Sequence, residues 1–507
     1  MQVNGLVTHA QALTVRTYFL ASIELTMRFL STTSRTLSLA VVAVLAGCAV
    51  GPDYRQPTTS TVDNFVQVEG AQFRSEEVER DFWRTFNDER LNALIEEALV
   101  ANHDVRISLA RLREARALRG EARLDFAPTV TEGASHVDAR ASERQAPPET
   151  AFQRDQDYYE TSFDAFWELD FFGRTRRSVE AASAEVQAAE ANVYSAQVSV
   201  TAEVARNYFE LRGAQARLEV AQRNAENQTE SLRLTTTRLE AGRGTQLDVS
   251  RAQAQLSATL GTIPDLEAEI NRAMLRLAVL VGREPQALTA DLSSEQELPS
   301  IPRAQSIGTP EALLRRRPDI IAAERQLAAA TARIGISVAD LFPRISFVGS
   351  WGFDAISSSD LGNASSETYA FGPSIRWAAF DLGRVRQQIK QREAAADGAL
   401  ARYEQTVLQA LEETDASLTN YAKSLAKQQH LQSSAEASLE AASLARVRFE
   451  NGATDFLIVL DAERNALQAE DALAQSQTQT ATALLAMYKA LGGGFRPLQD
   501  SAAAVAK

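Results

Sequence analysis

Cysteine is almost absent from this 507-residue chain, and its one copy, Cys48, rules out an intrachain disulfide. Histidine is nearly as scarce: His9, His103, His136 and His430 stand at no metal-binding spacing. No G-x-x-x-x-G-K loop, H-E-x-x-H helix or G-x-S-x-G elbow occurs. Gly242-Arg243-Gly244 has no strand before it and no third glycine, so it is not a dinucleotide loop. These gaps remove the common catalytic constellations, and the chain reads as no enzyme. Basic residues are outnumbered, 52 Lys and Arg against 66 Asp and Glu, for a formal charge of −14. Phosphate binding needs a basic face, so a nucleic-acid partner is not expected. Long apolar runs are missing too. None reaches the roughly 18 residues of a membrane-crossing helix, so any crossing must be made of strands. Aromatics are 7% of residues against 45% apolar overall, which leaves Ala, Leu and Val to supply most packing surface. Helices built from such residues approach each other closely.

The single cysteine sits in an informative place. Met27-Arg28 and Arg35 form a short basic segment, and Leu37 to Leu45 is apolar but for Ser38. Leu45-Ala46-Gly47-Cys48 follows, so a charged start, an apolar stretch and small residues before a cut site spell a secretory signal over residues 1–47. Residues 1–26 fit no part of that pattern, which puts the expected translation start at Met27. A Cys directly after small residues resembles the bacterial lipobox, whose Cys is lipidated and becomes the mature N-terminus. That resemblance implies a covalent lipid on Cys48 and no other cofactor. Ala49 is not the Asp that commonly retains such proteins at the inner membrane, so sorting to the outer membrane is expected.

Residues 48–87, with Gly51-Pro52 and Pro57, read as a loop-like tether. From Asp88 the chain turns helical, with Leu91, Leu94, Ile95, Ala98 and Leu99 at three- and four-residue steps. Past Pro128 a two-residue alternation takes over, giving a strand pair within 129–170, clearest in Phe163, Ala165, Trp167 and Leu169. The charged stretch between its strands carries Pro147-Pro148 and reads as a loop. From Arg174 to Glu240 there is no proline and only Gly213, a helix of roughly 100 Å at 1.5 Å per residue. Gly242 and Gly244 break it, and Leu247 to Gly282 runs back, with Pro264 marking a kink or interruption.

The series then repeats. A first unit over 88–290, a linker over 291–309, a second unit over 310–494 and a tail over 495–507 account for the rest of the chain. Gly120, Asp125 and Pro128 match Gly335, Asp340 and Pro343; Trp167 and Gly173-Arg174 match Trp377 and Gly383-Arg384. Gly242, Leu247 and Val249 match Gly452, Leu457 and Val459, all at an offset of about 210–215. The second strand pair lies within 344–378, and its long hairpin turns at Gly452. Each strand has about the length that spans a bilayer when tilted. Four strands cannot close a membrane barrel, and an open edge is not tolerated in lipid. The barrel must be shared between copies; periodicity alone allows two, three or four.

The motifs are specific. Gly51-Pro52-Asp53-Tyr54 after the lipobox, Phe82-Trp83-Arg84-Thr85-Phe86, and Trp167 through Phe171-Phe172-Gly173-Arg174 resemble the outer-membrane efflux lipoproteins of the TolC/OprM (outer membrane factor) superfamily, NodT-type. So do Leu314-Arg315-Arg316-Arg317-Pro318-Asp319-Ile320 and Leu341-Phe342-Pro343. The resemblance implies a mainly α fold with a membrane β-barrel: a homotrimer whose shared twelve-stranded β-barrel continues into a long α-helical tunnel in the periplasm. It implies docking to a periplasmic adaptor (membrane fusion) protein and an inner-membrane pump of the resistance-nodulation-division type. Leu457, Asp461 and Arg464 match the family's periplasmic gate pattern, with three Leu457 side chains as an apolar constriction and Asp461 tied to Arg464 or a neighbouring chain. The first repeat has Leu247 but Arg251 in place of the acid. Gly242, Thr245, Gly452 and Asp455 are the expected adaptor contacts at the tip. An exit duct for a protein exporter driven by an ABC transporter is the alternative; the lipobox and the Leu314–Ile320 motif favour small-molecule efflux.

Overall fold

The computed structural model describes residues 49–58, 64–65, 72–74, 76, 78–142, 144, 154–294, 296, 298–299, 301 and 304–498. Cys48 and the signal segment 1–47 lie outside the described residues. The elements are β1 (Gln72–Arg74), a 3₁₀ turn (Phe82–Phe86), α1 (Glu89–Ala101), α2 (His103–Leu124), β2 (Thr129–Arg140), β3 (Asp155–Leu169), α3 (Arg174–Glu240), α4 (Gln246–Leu280), α5 (Thr289–Leu292), β4 (Ala304–Ser306), α6 (Pro310–Arg316), α7 (Pro318–Ala339), β5 (Arg344–Ala355), β6 (Glu367–Arg376), α8 (Leu382–Glu450) and α9 (Phe456–Ala490). They form two units. One takes the chain up to Tyr54 with Leu118–Ser183 and Ala328–Ala396; the other takes Arg55–Ala117, Ala184–Leu327 and Asp397–Lys507.

The first unit holds an antiparallel sheet in the order β2-β3-β5-β6. Its register sorts the side chains by chemistry. Phe163 pairs with Trp351, Trp351 with Tyr369, Trp167 with Phe347 and Gly349 with Phe371, so these aromatic residues share one face. Tyr158 and Phe166 lie on the other, and β2 brings Glu132 and His136 to the aromatic side. The other face carries Glu160, Ser162 and Asp164 beside Asp354, Gly352 and Ser350, then Thr368 and Ser374 on β6. A strand turns alternate residues to opposite faces, so one sheet presents a more apolar and a more polar surface. The outer edges of β2 and β6 have no ladder partner among the described residues. Two equivalent tryptophans tie the strand ends to the turns that follow α2 and α7: Trp167 Nε1 donates to the Phe126 carbonyl at 2.9 Å, and Trp377 Nε1 to the Leu341 carbonyl at 3.0 Å. Asp170 starts α3 by accepting from the backbone N–H groups of Thr175 and Arg176 at 2.9 and 3.0 Å, satisfying donors a helix start leaves free.

The second unit contains the main core, where α1, α3, α4 and α9 meet. The stretch read as a plain tether ends inside it. Phe82, Trp83 and Phe86 are buried, Phe82 stacks on Tyr488 at 4.6 Å, and Phe86 meets Phe209 edge-on at 5.0 Å. Within the stretch read as a linker, Ala304–Ser306 form β4, which pairs in parallel with β1. Burial pushes the Tyr208 and Tyr488 hydroxyls up to about 12, helped at Tyr208 by the hydrogen bond it donates to Asp88. Asn102 makes the break between α1 and α2. Its side chain donates to the Leu280 carbonyl at 2.8 Å and accepts from the Asp104 N–H at 2.8 Å. Arg316 donates to the Val78 carbonyl at 2.6 Å, and Arg317 to Asp319, Glu413 and the Ala490 carbonyl, so both serve as struts. Pro264 neither kinks α4 enough to end it nor interrupts it: the helix runs from Gln246 to Leu280. One missing N–H is a modest loss for a helix that buries Leu256, Leu266, Ile270, Met274 and Leu277 on one face.

Candidate functional site

The residues singled out from sequence gather at the turns of the two long hairpins, α3–α4 and α8–α9. Both turns are built alike. The Gly242 N–H bonds the Leu239 carbonyl and the Arg243 N–H the Arg238 carbonyl; the Gly452 N–H bonds Phe449 and the Ala453 N–H bonds Arg448. This paired pattern ends a helix through one left-handed residue. Gly242 has φ +67° and Gly452 φ +71°. A side chain at either place would meet nothing within 4 Å, so the backbone angle alone demands glycine.

The return helices start differently. In α4, Thr245 and Asp248 bond each other's backbone N–H in a reciprocal cap. At the equivalent start of α9, Asp455 makes no side-chain cap, and Phe456, Leu457 and Ile458 follow. Phe456 turns inward against Phe449 at 5.5 Å, within a small core of Ala252, Ala445 and Val459. Leu457 and Ile458 stay exposed, at 51% and 55%. Gly242, Thr245, Gly452 and Asp455 are all exposed. One turn further along α9, Asp461 accepts from Arg464 at 2.7 Å and from Asn465 at 3.3 Å. Both members of the ion pair are more than half exposed, so it contributes only about 0.3–0.5 kcal/mol within the chain.

Stronger ties went unnoticed in the sequence. Arg238, in the last turn of α3, donates to the Phe449 and Glu450 carbonyls at 2.7 and 3.1 Å and lies 4.0 Å over the Phe449 ring. It therefore caps α8, a helix of the other repeat. Glu463 is buried, and its Oε1 accepts from Arg446 at 2.6 Å and from Ser231 at 2.9 Å, joining α8, α9 and α3. Asn224 and Arg223 donate to Glu470 at 2.9 and 2.6 Å, and Arg217 to Asp471 at 2.7 Å. That last hydrogen bond raises the Arg217 guanidinium above its ordinary pKa. Arg217, Asn224 and Ser231 stand seven residues apart, the spacing that keeps a seam on one face of packed helices. The only sequence signal was that heptad; the partners lie more than 200 residues away.

A family model described as "Outer membrane efflux protein" matches residues 94–283 and 309–493. Outer membrane protein OprJ of Pseudomonas aeruginosa is 31% identical over 471 residues, covering 90% of this chain and 95% of that protein. The toluene efflux pump outer membrane protein TtgI of Pseudomonas putida is 30% identical over 480 residues, covering 92% and 99%. Among solved structures, the outer-membrane channel OprN is similar with a TM-score of 0.81 and 44% identity, covering 89% of this chain and all of that one.

Proposed function

We propose that this chain, which belongs to the outer membrane efflux protein family, is the outer-membrane exit duct of a tripartite efflux system for small molecules. The observation that carries the reading is the sheet: four strands of 10–15 residues, three of which gather most of their aromatic residues on one face, with both edges open among the described residues. Lipid tolerates no open edge, so copies must join β6 to β2 until the ring closes. Three copies give twelve strands. The aromatic face then meets lipid, and the face with Glu160, Asp164 and Asp354 lines water. The duct is a transport element with no catalytic role. It takes cargo from an inner-membrane pump of the resistance-nodulation-division type through a periplasmic adaptor.

A lipid on Cys48 anchors the N-terminus in the outer membrane. The hairpin turns close the periplasmic end. Leu457 forms the apolar constriction, with Asp461 and Arg464 as the polar ring beside it. Leu247 of α4 is as exposed as Leu457, so what supports a gate drawn from the second repeat is Ile458 beside Leu457, exposed where α4 carries the capping Asp248. Gly242, Thr245, Gly452 and Asp455, exposed at the turns, meet the adaptor. Dye accumulation tests the reading in a strain lacking the gene and in the same strain complemented with it. Raised accumulation that complementation reverses is the expected result. Unchanged accumulation across a broad panel of dyes and drugs, with intact protein secretion lost, would move the cargo to the protein-exporter alternative.

A further inference from the structure

The chain just after Cys48 is held in a slot. The Val50 N–H donates to the Phe172 carbonyl at 3.2 Å, at the turn from β3 into α3. Arg177 donates to the Val50 carbonyl at 3.2 Å, the Gly51 carbonyl at 3.4 Å and Asp53 Oδ1 at 2.7 Å, while Glu180 holds its other amino group at 2.7 Å. The Arg177 side chain is 4% exposed, although Asp53 is 84% exposed. Three glycines make the space. A Cβ on Gly51 would lie 2.5 Å from the Gly335 Cα, one on Gly173 2.5 Å from the Ala49 Cα, and one on Gly335 2.9 Å from Arg177. Two of these approaches are backbone to backbone and cannot be relieved by moving a side chain. Gly51 and Gly173 also need φ of +95° and +80°.

The duplication supplies an internal control. Gly335 and Gly173 correspond to Gly120 and Gly383, where a Cβ would meet nothing within 4 Å, and Arg177 corresponds to Gln387. The repeated fold itself therefore does not require the slot. It exists only in the copy over which residues 49–53 pass.

We infer that Gly173, Arg177 and Gly335 form a docking site for the segment directly following the lipidated residue, with Arg177 as its positioning residue. The inference rests on the reading that Cys48 carries the lipid. Only Ala49 separates Cys48 from the fixed Val50, a reach of about 7 Å. The acyl chains are thus held at the end of β3, beside the aromatic face of the sheet, rather than roaming on a tether of some forty residues.

Hydrogen exchange on the purified full-length protein in detergent, with mass spectrometry of its N-terminal peptide, tests this. The expected result is an acylated Cys48 and a Val50 amide that exchanges about ten-fold or more faster in Asp53→Ala, the loss expected for one charge-assisted hydrogen bond. Arg177→Met and Gly335→Val should accelerate it further, and Gly120→Val should leave it unchanged. Asp53 lies at the surface, so its variant folds even if the buried substitutions do not. Equal exchange in wild type and Asp53→Ala, with the acyl mass present, refutes the slot and leaves lipidation standing. A protected Val50 on an unacylated Cys48 refutes the lipidation reading and, with it, the positioning role.

Discussion

Replacing Glu463 by Ala should loosen the hairpin tip far more than replacing Asp461, although only Asp461 belongs to the gate pattern. Glu463 is 7% exposed and receives hydrogen bonds from both Arg446 and Ser231. Breaking a buried ion pair by removing one partner costs about 3–5 kcal/mol. Arg446 is about one third exposed (32%) and regains water, which lowers the expectation to about 2 kcal/mol. Asp461 and Arg464, exposed on one helix, are worth about 0.4 kcal/mol. If these ties exist only in the shut arrangement, the open-to-shut ratio rises about 30-fold in Glu463→Ala and about two-fold in Asp461→Ala. Glu463→Gln keeps the bond from Ser231 and should fall between them. Open probability of the purified channel in planar bilayers reads this directly, and uptake of a large antibiotic by cells reads it in place. Should Asp461→Ala open the channel as much as Glu463→Ala, the reasoning fails: the closing energy would then reside in contacts between copies.

Three further outcomes are expected. Phe371→Arg, on the aromatic face, should cost about 2–4 kcal/mol of assembled channel if that face meets lipid, whereas Ala370→Arg next to it should cost little; heat-resistant oligomer on a gel distinguishes them. Phe82→Ala should destabilise the second unit by about 3–5 kcal/mol, as for a core aromatic; an unchanged denaturant midpoint would mean that residues 48–87 act only as a tether. Tyr208 and Tyr488 hold their protons to about 12 when folded but to about 10 when unfolded. Their contribution is therefore complete below pH 10 and is lost as pH rises through 12, about 2–3 kcal/mol for each. The urea midpoint should fall between pH 9 and pH 11.5, and Tyr208→Phe should blunt the fall.

What could be read in advance was what repeats locally. The alternation around Phe163 and Trp167 marks β3, and the glycines at 242 and 452 mark the hairpin turns, because strands and left-handed turns leave their signal within a few residues. The α3 helix, Arg174–Glu240, follows from a long stretch free of proline. By contrast, β1 and β4 have three residues each, too few for any period, and only their parallel pairing across the chain creates them. Pro264 does not interrupt α4: local propensity says nothing of the burial that carries the helix through it. At the tip, the Leu457–Asp461–Arg464 pattern was legible as a motif, yet the buried ties of Arg238 and Glu463 were not. Phe449 for Arg238 and Ser231 for Glu463 lie in the other repeat, more than two hundred residues away, and Arg446 reaches Glu463 only because the hairpin folds back.

The ladder of Ser231, Asn224 and Arg217 against Glu463, Glu470 and Asp471 has a mechanical consequence. On α3 these residues lie about 10 Å apart along the axis, but on α9 Glu470 and Asp471 are neighbours, so α9 is held at two levels and cannot swing as though on one hinge. Pulled at the turn, it peels, and the Ser231–Glu463 rung parts first because it lies nearest the free end. The ties at Asn224 and Arg217, which hold neighbouring residues of α9, part later and together. If the tip opens as proposed, a small load releases the Ser231–Glu463 tie alone, and the paired ties at Glu470 and Asp471 set the limit of travel. A substitution at Asn224 or Arg217 should leave the first step unchanged and extend the last.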